Sequence, residues 1–101
     1  MIARRWHGIV PAAKADAYRS LMVGVALPDY RSVPGNMGAW CLDRVDGDLV
    51  HFEMLTFWES LEAIEQFAGT PVNAAKYYDF DDAFLIEKEP HVLHFQVSGN
   101  R

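Results

Sequence analysis

Gly38-Ala39-Trp40-Cys41-Leu42-Asp43-Arg44 and Leu49-Val50-His51-Phe52-Glu53-Met54-Leu55-Thr56-Phe57-Trp58 flank the dipeptide Asp46-Gly47. Two β-rich runs around Asp-Gly predict a hairpin, because a type I′ turn needs positive φ at both central residues. With Asp46 and Gly47 as the loop, Cys41 faces Phe52, Ala39 faces Met54, Leu42 faces His51 and Trp40 faces Glu53. One face then carries Ala39, Cys41, Phe52, Met54 and Trp58, all apolar. The other mixes Trp40, Leu42, His51, Glu53, Leu55 and Phe57. A sheet face open to water rarely holds that many large apolar groups. Both faces therefore need a cover, and a chain of 101 residues has helices enough for one. The second cover is expected from a partner subunit.

Working outward, Ile2–Val10 reads as a strand, aromatic and β-branched at several positions and stopped by Pro11. Over Ala12–Leu27 the period becomes helical, with Lys14, Tyr18, Leu21, Met22 and Val25 on one face, and Pro28 is expected to close the helix. Pro28–Asn36 has the turn residues of a loop. Ser60 is placed to cap a second helix with Leu61, Ile64, Phe67 and Ala68 as its buried stripe. Gly69 sits at the C′ position and Pro71 follows. Thr70–Tyr78 reads as irregular or a short helical turn, and Asp81–Glu87 as a short helix capped by Asp81 that buries Phe84 and Leu85. His91–Val97 reads as the last strand, alternating Leu93, Phe95 and Val97, and Ser98–Arg101 as a frayed tail. Strand, helix, strand, strand, helix, strand is the ferredoxin-like βαββαβ plan, an α+β sandwich with an antiparallel sheet. Right-handed crossovers put the first and third strands at its centre.

The chain reads as one domain, 1–101, of 11.4 kDa. Half of it is hydrophobic, which is a globular composition. Acids outnumber bases 14 to 9, so no general nucleic-acid footprint is expected. The single cysteine, Cys41, excludes an internal disulfide framework, and the four histidines have no zinc-finger spacing. The apolar runs are too short for a membrane span, and Met1-Ile2-Ala3-Arg4-Arg5 leads into no signal core, so a cytoplasmic protein is expected.

Histidine is the side chain suited to acid–base work near neutral pH. His7 lies on an expected central strand and His94 on its expected antiparallel neighbour, so the two are candidates to meet at a shared cavity. His51 and His91 read as surface or interface residues. Trp6 is the candidate wall of an aromatic pocket, whereas Trp58, beside a helix cap, reads as structural. Tyr77 and Tyr78 open an aromatic-acidic loop that could close over a cavity. Asp79, Asp81 and Asp82 lack the glycine and distal glutamate of a calcium loop, so no metal site is expected. Arg5 and Glu53 are positioned to pair from neighbouring strands, in an interface or around an anionic ligand. Cys41 reads as a small core hydrophobe.

Thr56-Phe57-Trp58-Glu59-Ser60 followed by the amphipathic helix Leu61–Phe67 resembles an element of the antibiotic biosynthesis monooxygenase family. Trp6-His7-Gly8, Phe84-Leu85-Ile86 and the final His91-Val92-Leu93-His94-Phe95 are similar to small members of that group. The resemblance implies a dimeric α+β barrel, in which two sheets pack face to face across a dimer axis. It does not fix a reaction: some members oxidise polycyclic phenols with molecular oxygen alone, others degrade heme, and others have no known activity. The heme-degrading branch carries a tryptophan where this chain has Phe67, and an iron-ligating histidine near the place of Tyr77. Its first-strand asparagine falls in a stretch where this chain has Arg4 to Gly8. All three differ here. The implied function is an oxygenase-like enzyme acting on a small aromatic or polyketide-like substrate without metal or flavin. His7 or His94 would be the base, and Trp6, Arg5, Phe67, Tyr77 and Tyr78 would bind substrate. The alternative is a non-catalytic homodimer that binds a small hydrophobic ligand, with heme binding through Tyr77 a further possibility.

Overall fold

The computed structural model describes residues 1–99, so Asn100 and Arg101, the end of the expected tail, lie outside the described residues. Four strands, β1 (Ile2–Pro11), β2 (Asn36–Asp46), β3 (Leu49–Trp58) and β4 (Leu93–Gln96), form an antiparallel sheet in the order β2-β3-β1-β4. The first and third strands are central, as the crossover rule requires. Helices α1 (Ala15–Leu21), α2 (Leu27–Ser32) and α3 (Leu61–Ala68) cover one face, giving the ferredoxin-like α+β fold.

Side-chain alternation decides which face each strand residue serves. Even-numbered residues of β1 and β3 (Trp6, Val10, Val50, Phe52, Met54, Trp58) point into the core with Tyr18, Met22, Tyr30, Ile64 and Phe67 of the helices. Odd-numbered ones, including Arg5, His7, His51, Glu53, Leu55 and Phe57, lie on the opposite, open face. No helix of the described chain is long and apolar enough to cross a membrane.

The hairpin register differs from expectation by two residues. Cys41 pairs with Met54, Ala39 with Thr56, Leu42 with Glu53 and Trp40 with Leu55. The loop is Gly47-Asp48, and only Gly47 has positive φ, 61°, the glycine-first requirement of a type II′ turn. A shift of two leaves every side chain on its assigned face.

The first helical segment also departs. Pro28 does not close it: helix continues to Ser32 through a π turn at Met22–Ala26, in which Leu27 N–H bonds Met22 O. That turn starts α2 afresh, and Pro28 falls in its first turn, where a missing N–H costs little. Lys14 and Val25, assigned to the buried face, are exposed. The expected helix at Asp81–Glu87 is instead a 3-10 turn at Asp79–Ala83, capped from Tyr78, with Asp81 buried inside it. β4 is shorter than expected, and its Leu93 and Phe95 lie half-exposed on the open face.

Candidate functional site

The sequence-derived site residues fall on two sides of the sheet. Trp6, Phe67, Tyr77, Tyr78 and His94 lie on the helix side, and Arg5 and His7 lie on the open face. His7 and His94 therefore share no cavity. The physical reason is register: His94 pairs with Arg4, an even position of β1, whereas His7 is odd.

On the helix side, Trp6 is 4% exposed and stands edge-on to Tyr77, with ring centroids 6.0 Å apart. Its six-membered ring rests on Gly8, where a Cβ would come within 2.5 Å of the indole and 2.8 Å of Leu85. The Trp6 indole N–H is buried with no acceptor among the described residues. An unmet donor of this kind costs about 1–3 kcal/mol. Beside it on the strand, Arg4 is 2% exposed and has no carboxylate partner among the described residues. Its guanidinium donates to Val72 O (2.8 Å), Ala74 O (3.0 Å) and His94 Nε2 (3.0 Å), tying the 72–74 segment to the sheet. Burial lowers its pKa to about 10, so it remains a cation near neutral pH. A guanidinium only donates, so His94 Nε2 is the acceptor of their bond. Burial, then Arg4, hold the His94 pKa below its ordinary value.

Aromatic rings complete this side. Phe67 of α3 packs on Tyr30 of α2, with centroids 4.7 Å apart, and on Trp58, at 5.6 Å. Lys76 Nζ lies 4.1 Å from the Phe67 ring centroid and 3.3 Å from Asp29. The Tyr78 hydroxyl donates to Asp29 (2.6 Å), and the Tyr77 hydroxyl donates to Glu89 O. Burial pushes the Tyr77 pKa up to about 12. Trp58, read as structural, is fully buried and donates to Thr56 Oγ1 at 2.8 Å. Cys41 is part of the core periphery, and burial raises its pKa to about 11, which disfavours the thiolate a nucleophile needs.

The open face holds a different chemistry. Arg5 and Glu53 pair at 2.7 Å, each about a third exposed (36% and 34%), and the Arg5 bond lowers the Glu53 pKa. His7 Nδ1 meets Glu89 Oε2 at 2.5 Å, His7 Nε2 meets His51 Nδ1 at 2.9 Å, and His51 Nε2 meets Asp46 Oδ2 at 3.2 Å. Leu42, Asp43, Arg44, His51 and Glu53 line a pocket of about 240 Å³ beside this chain of bonds. Among the described residues no group of three or more His, Cys, Asp or Glu is placed to hold a metal ion.

Sequence reasoning missed Arg4, Arg44, Glu89 and the role of His51. Arg4 was legible: it occupies the register of Ile2, Trp6, Gly8 and Val10, so a charged residue stood in the apolar series. Glu89 lies outside any regular element, and nothing local ties it to His7.

Comparison with known proteins rests on shape. The chain has the fold of the heme degrader MhuD from Mycobacterium tuberculosis. A structure of that protein with two hemes bound in its active site matches with a TM-score of 0.68 and 22% identity. The match covers 100% of this chain and 99% of that one. A mutant MhuD with two manganese protoporphyrin IX molecules per active site matches with a TM-score of 0.64 and 20% identity. There the match covers 100% of this chain and 98% of that one. No protein-family model and no curated protein matches the sequence. At these identities the likeness is one of fold.

Proposed function

We propose that this chain is a monooxygenase-like enzyme of the antibiotic biosynthesis monooxygenase type. Its substrate is a small planar aromatic or polyketide-like molecule carrying a phenolate or enolate oxygen, which molecular oxygen oxidises directly. The observation that carries this reading is the Trp6 indole N–H, a buried donor with no acceptor, inside a wall of aromatic rings. A substrate oxyanion supplies the missing acceptor, and the uncompensated Arg4 guanidinium supplies the countercharge. Phe67, Tyr77 and Tyr78 are the remaining walls. His94 is the candidate base: it is held neutral, and its Nε2 lone pair becomes available when the substrate takes over Arg4.

The reading includes a cytoplasmic homodimer. The open face has an apolar half, in which Trp40, Leu93 and Phe95 are 51%, 52% and 50% exposed around Leu55 and Phe57. A second copy packing sheet to sheet covers that half.

The hemes of MhuD raise heme as a ligand, and the residues here do not fit it as arranged. The donors nearest Trp6 and Phe67 are engaged within the fold: Tyr77 on Glu89 O, Lys76 on Asp29, and His94 Nε2 on Arg4. Hemin titration is expected to give no Soret shift; a shift abolished by Tyr77→Phe would restore the heme reading.

The main test uses 1-naphthol as probe, with calorimetry for binding and an oxygen electrode for turnover. Wild type is expected to bind it and to consume oxygen. Trp6→Phe keeps a ring but removes the N–H, and should bind about tenfold more weakly, the worth of a charge-assisted hydrogen bond. His94→Phe should bind without consuming oxygen. Binding with no oxygen uptake by wild type would instead favour a non-catalytic ligand-binding protein. No binding at all would remove the interior site.

A further inference from the structure

The hydrogen-bonded chain on the open face needs one proton in each of its three contacts. Glu89 and Asp46 present carboxylate oxygens at its ends, so the facing nitrogens, His7 Nδ1 and His51 Nε2, must each carry a proton. The His7 Nε2–His51 Nδ1 contact at 2.9 Å needs one more, on either nitrogen. With both carboxylates ionised, the fully bonded chain holds one proton more than two neutral imidazoles carry. Transfer of the middle proton moves the positive charge from one ring to the other without moving a side chain.

The pocket beside His51 has an unbalanced lining. Asp43 is held by Arg19 at 3.0 and 3.2 Å, and Glu53 by Arg5 at 2.7 Å. Arg44 has no hydrogen bond or ion pair among the described residues. The weakest link of the chain is the one to Asp46, whose side chain is mostly exposed and lies at 3.2 Å. At about 240 Å³ the pocket is smaller than the ~300–1,000 Å³ usual for drug-sized ligands. Leu42 gives it an apolar wall.

We propose that the polar half of the open face is a second ligand site, for a small organic monocarboxylate. Arg44 takes the carboxylate, Leu42 takes its apolar part, and the proton shared by His7 and His51 moves to His51 to face the new charge. The ligand displaces Asp46 from His51 Nε2–H. The groups facing the pair are Glu89 from the segment before β4, Arg5 on β1, Glu53 on β3, and Arg44 and Asp46 on β2. The site is separate from the one between sheet and helices.

Benzoate is the probe, followed by amide and imidazole NMR shifts. Saturable shifts are expected at Leu42 to Arg44 and His51. Arg44→Gln, a change at an exposed position, should weaken binding at least about fivefold. Non-saturating shifts, equal shifts with chloride at matched ionic strength, or unchanged affinity in Arg44→Gln would each overturn the proposal. Failure of 1-naphthol to bind would not affect it.

Discussion

Asp81 shows how one buried residue organises a segment. It is 1% exposed and accepts from the Tyr18 hydroxyl (2.7 Å) and from Tyr78 N–H (2.7 Å), which ties the 79–83 turn to α1. Burial raises its pKa, against the two bonds that lower it. Asp81→Ala leaves both donors without an acceptor, at about 1–3 kcal/mol each. The urea midpoint should therefore fall clearly, while Asp81→Asn, which keeps an acceptor, should lose less; equal losses would contradict this account. His94 gives the pH prediction. A histidine whose folded pKa is depressed contributes stability that is present above the unfolded value and lost as pH falls through the folded one. Urea midpoints should therefore decline from about pH 6.5 downward. The decline should be shallower in His94→Gln, and an identical slope in both proteins would count against a buried neutral imidazole. Both residues were visible in the sequence as types, but their partners were not. Asp81 read as a solvated cap because acidic runs usually are, and only tertiary packing shows that Tyr18 reaches it.

Elements with both ends marked locally were legible almost to the residue. α3 has Ser60 accepting from Ala63 N–H at 3.2 Å and Gly69 with φ of 80° after its last turn. Ser60→Ala is expected to cost about 1 kcal/mol. A chemical-denaturation midpoint unchanged from wild type would show that the cap contributes nothing. The helix through Pro28 was misread because a π turn has no sequence signature, and proline in a helical pattern ordinarily means a stop. The hairpin faces were right although the pairing was not, since Asp-Gly marks a turn without fixing which two residues form it. For β4, alternation correctly placed Leu93 and Phe95 on one face, but not on which face. Apolar residues there anticipate a subunit contact as readily as a core.

Across the whole molecule, the open face divides along the strands. Rows nearest β4 are largely apolar, with Phe95, Phe57, Leu93, Leu55 and Trp40 around the single charge of Arg5. Rows nearest the hairpin are polar, with His7, Glu53, His51 and Arg44. The homodimer reading predicts a mass by light scattering of twice 11.4 kDa at micromolar concentration. Trp40→Lys combined with Phe95→Lys should return it to a monomer that is still folded. A wild-type monomer would contradict the covered face. That both faces of the sheet carry apolar residues was readable from composition by face alone. The division of that face required the register, which the sequence left two residues adrift.

The three tryptophans stand in three different electrostatic surroundings. Trp58 is fully buried and hydrogen-bonded to Thr56, Trp6 is buried with a bare N–H, and Trp40 is half-exposed against Phe57. Indole emission follows the polarity and hydrogen bonding around the ring, so the three differ in colour. Variants that each retain one tryptophan would report separately on the core, on the helix-side site and on the sheet face, with no label attached.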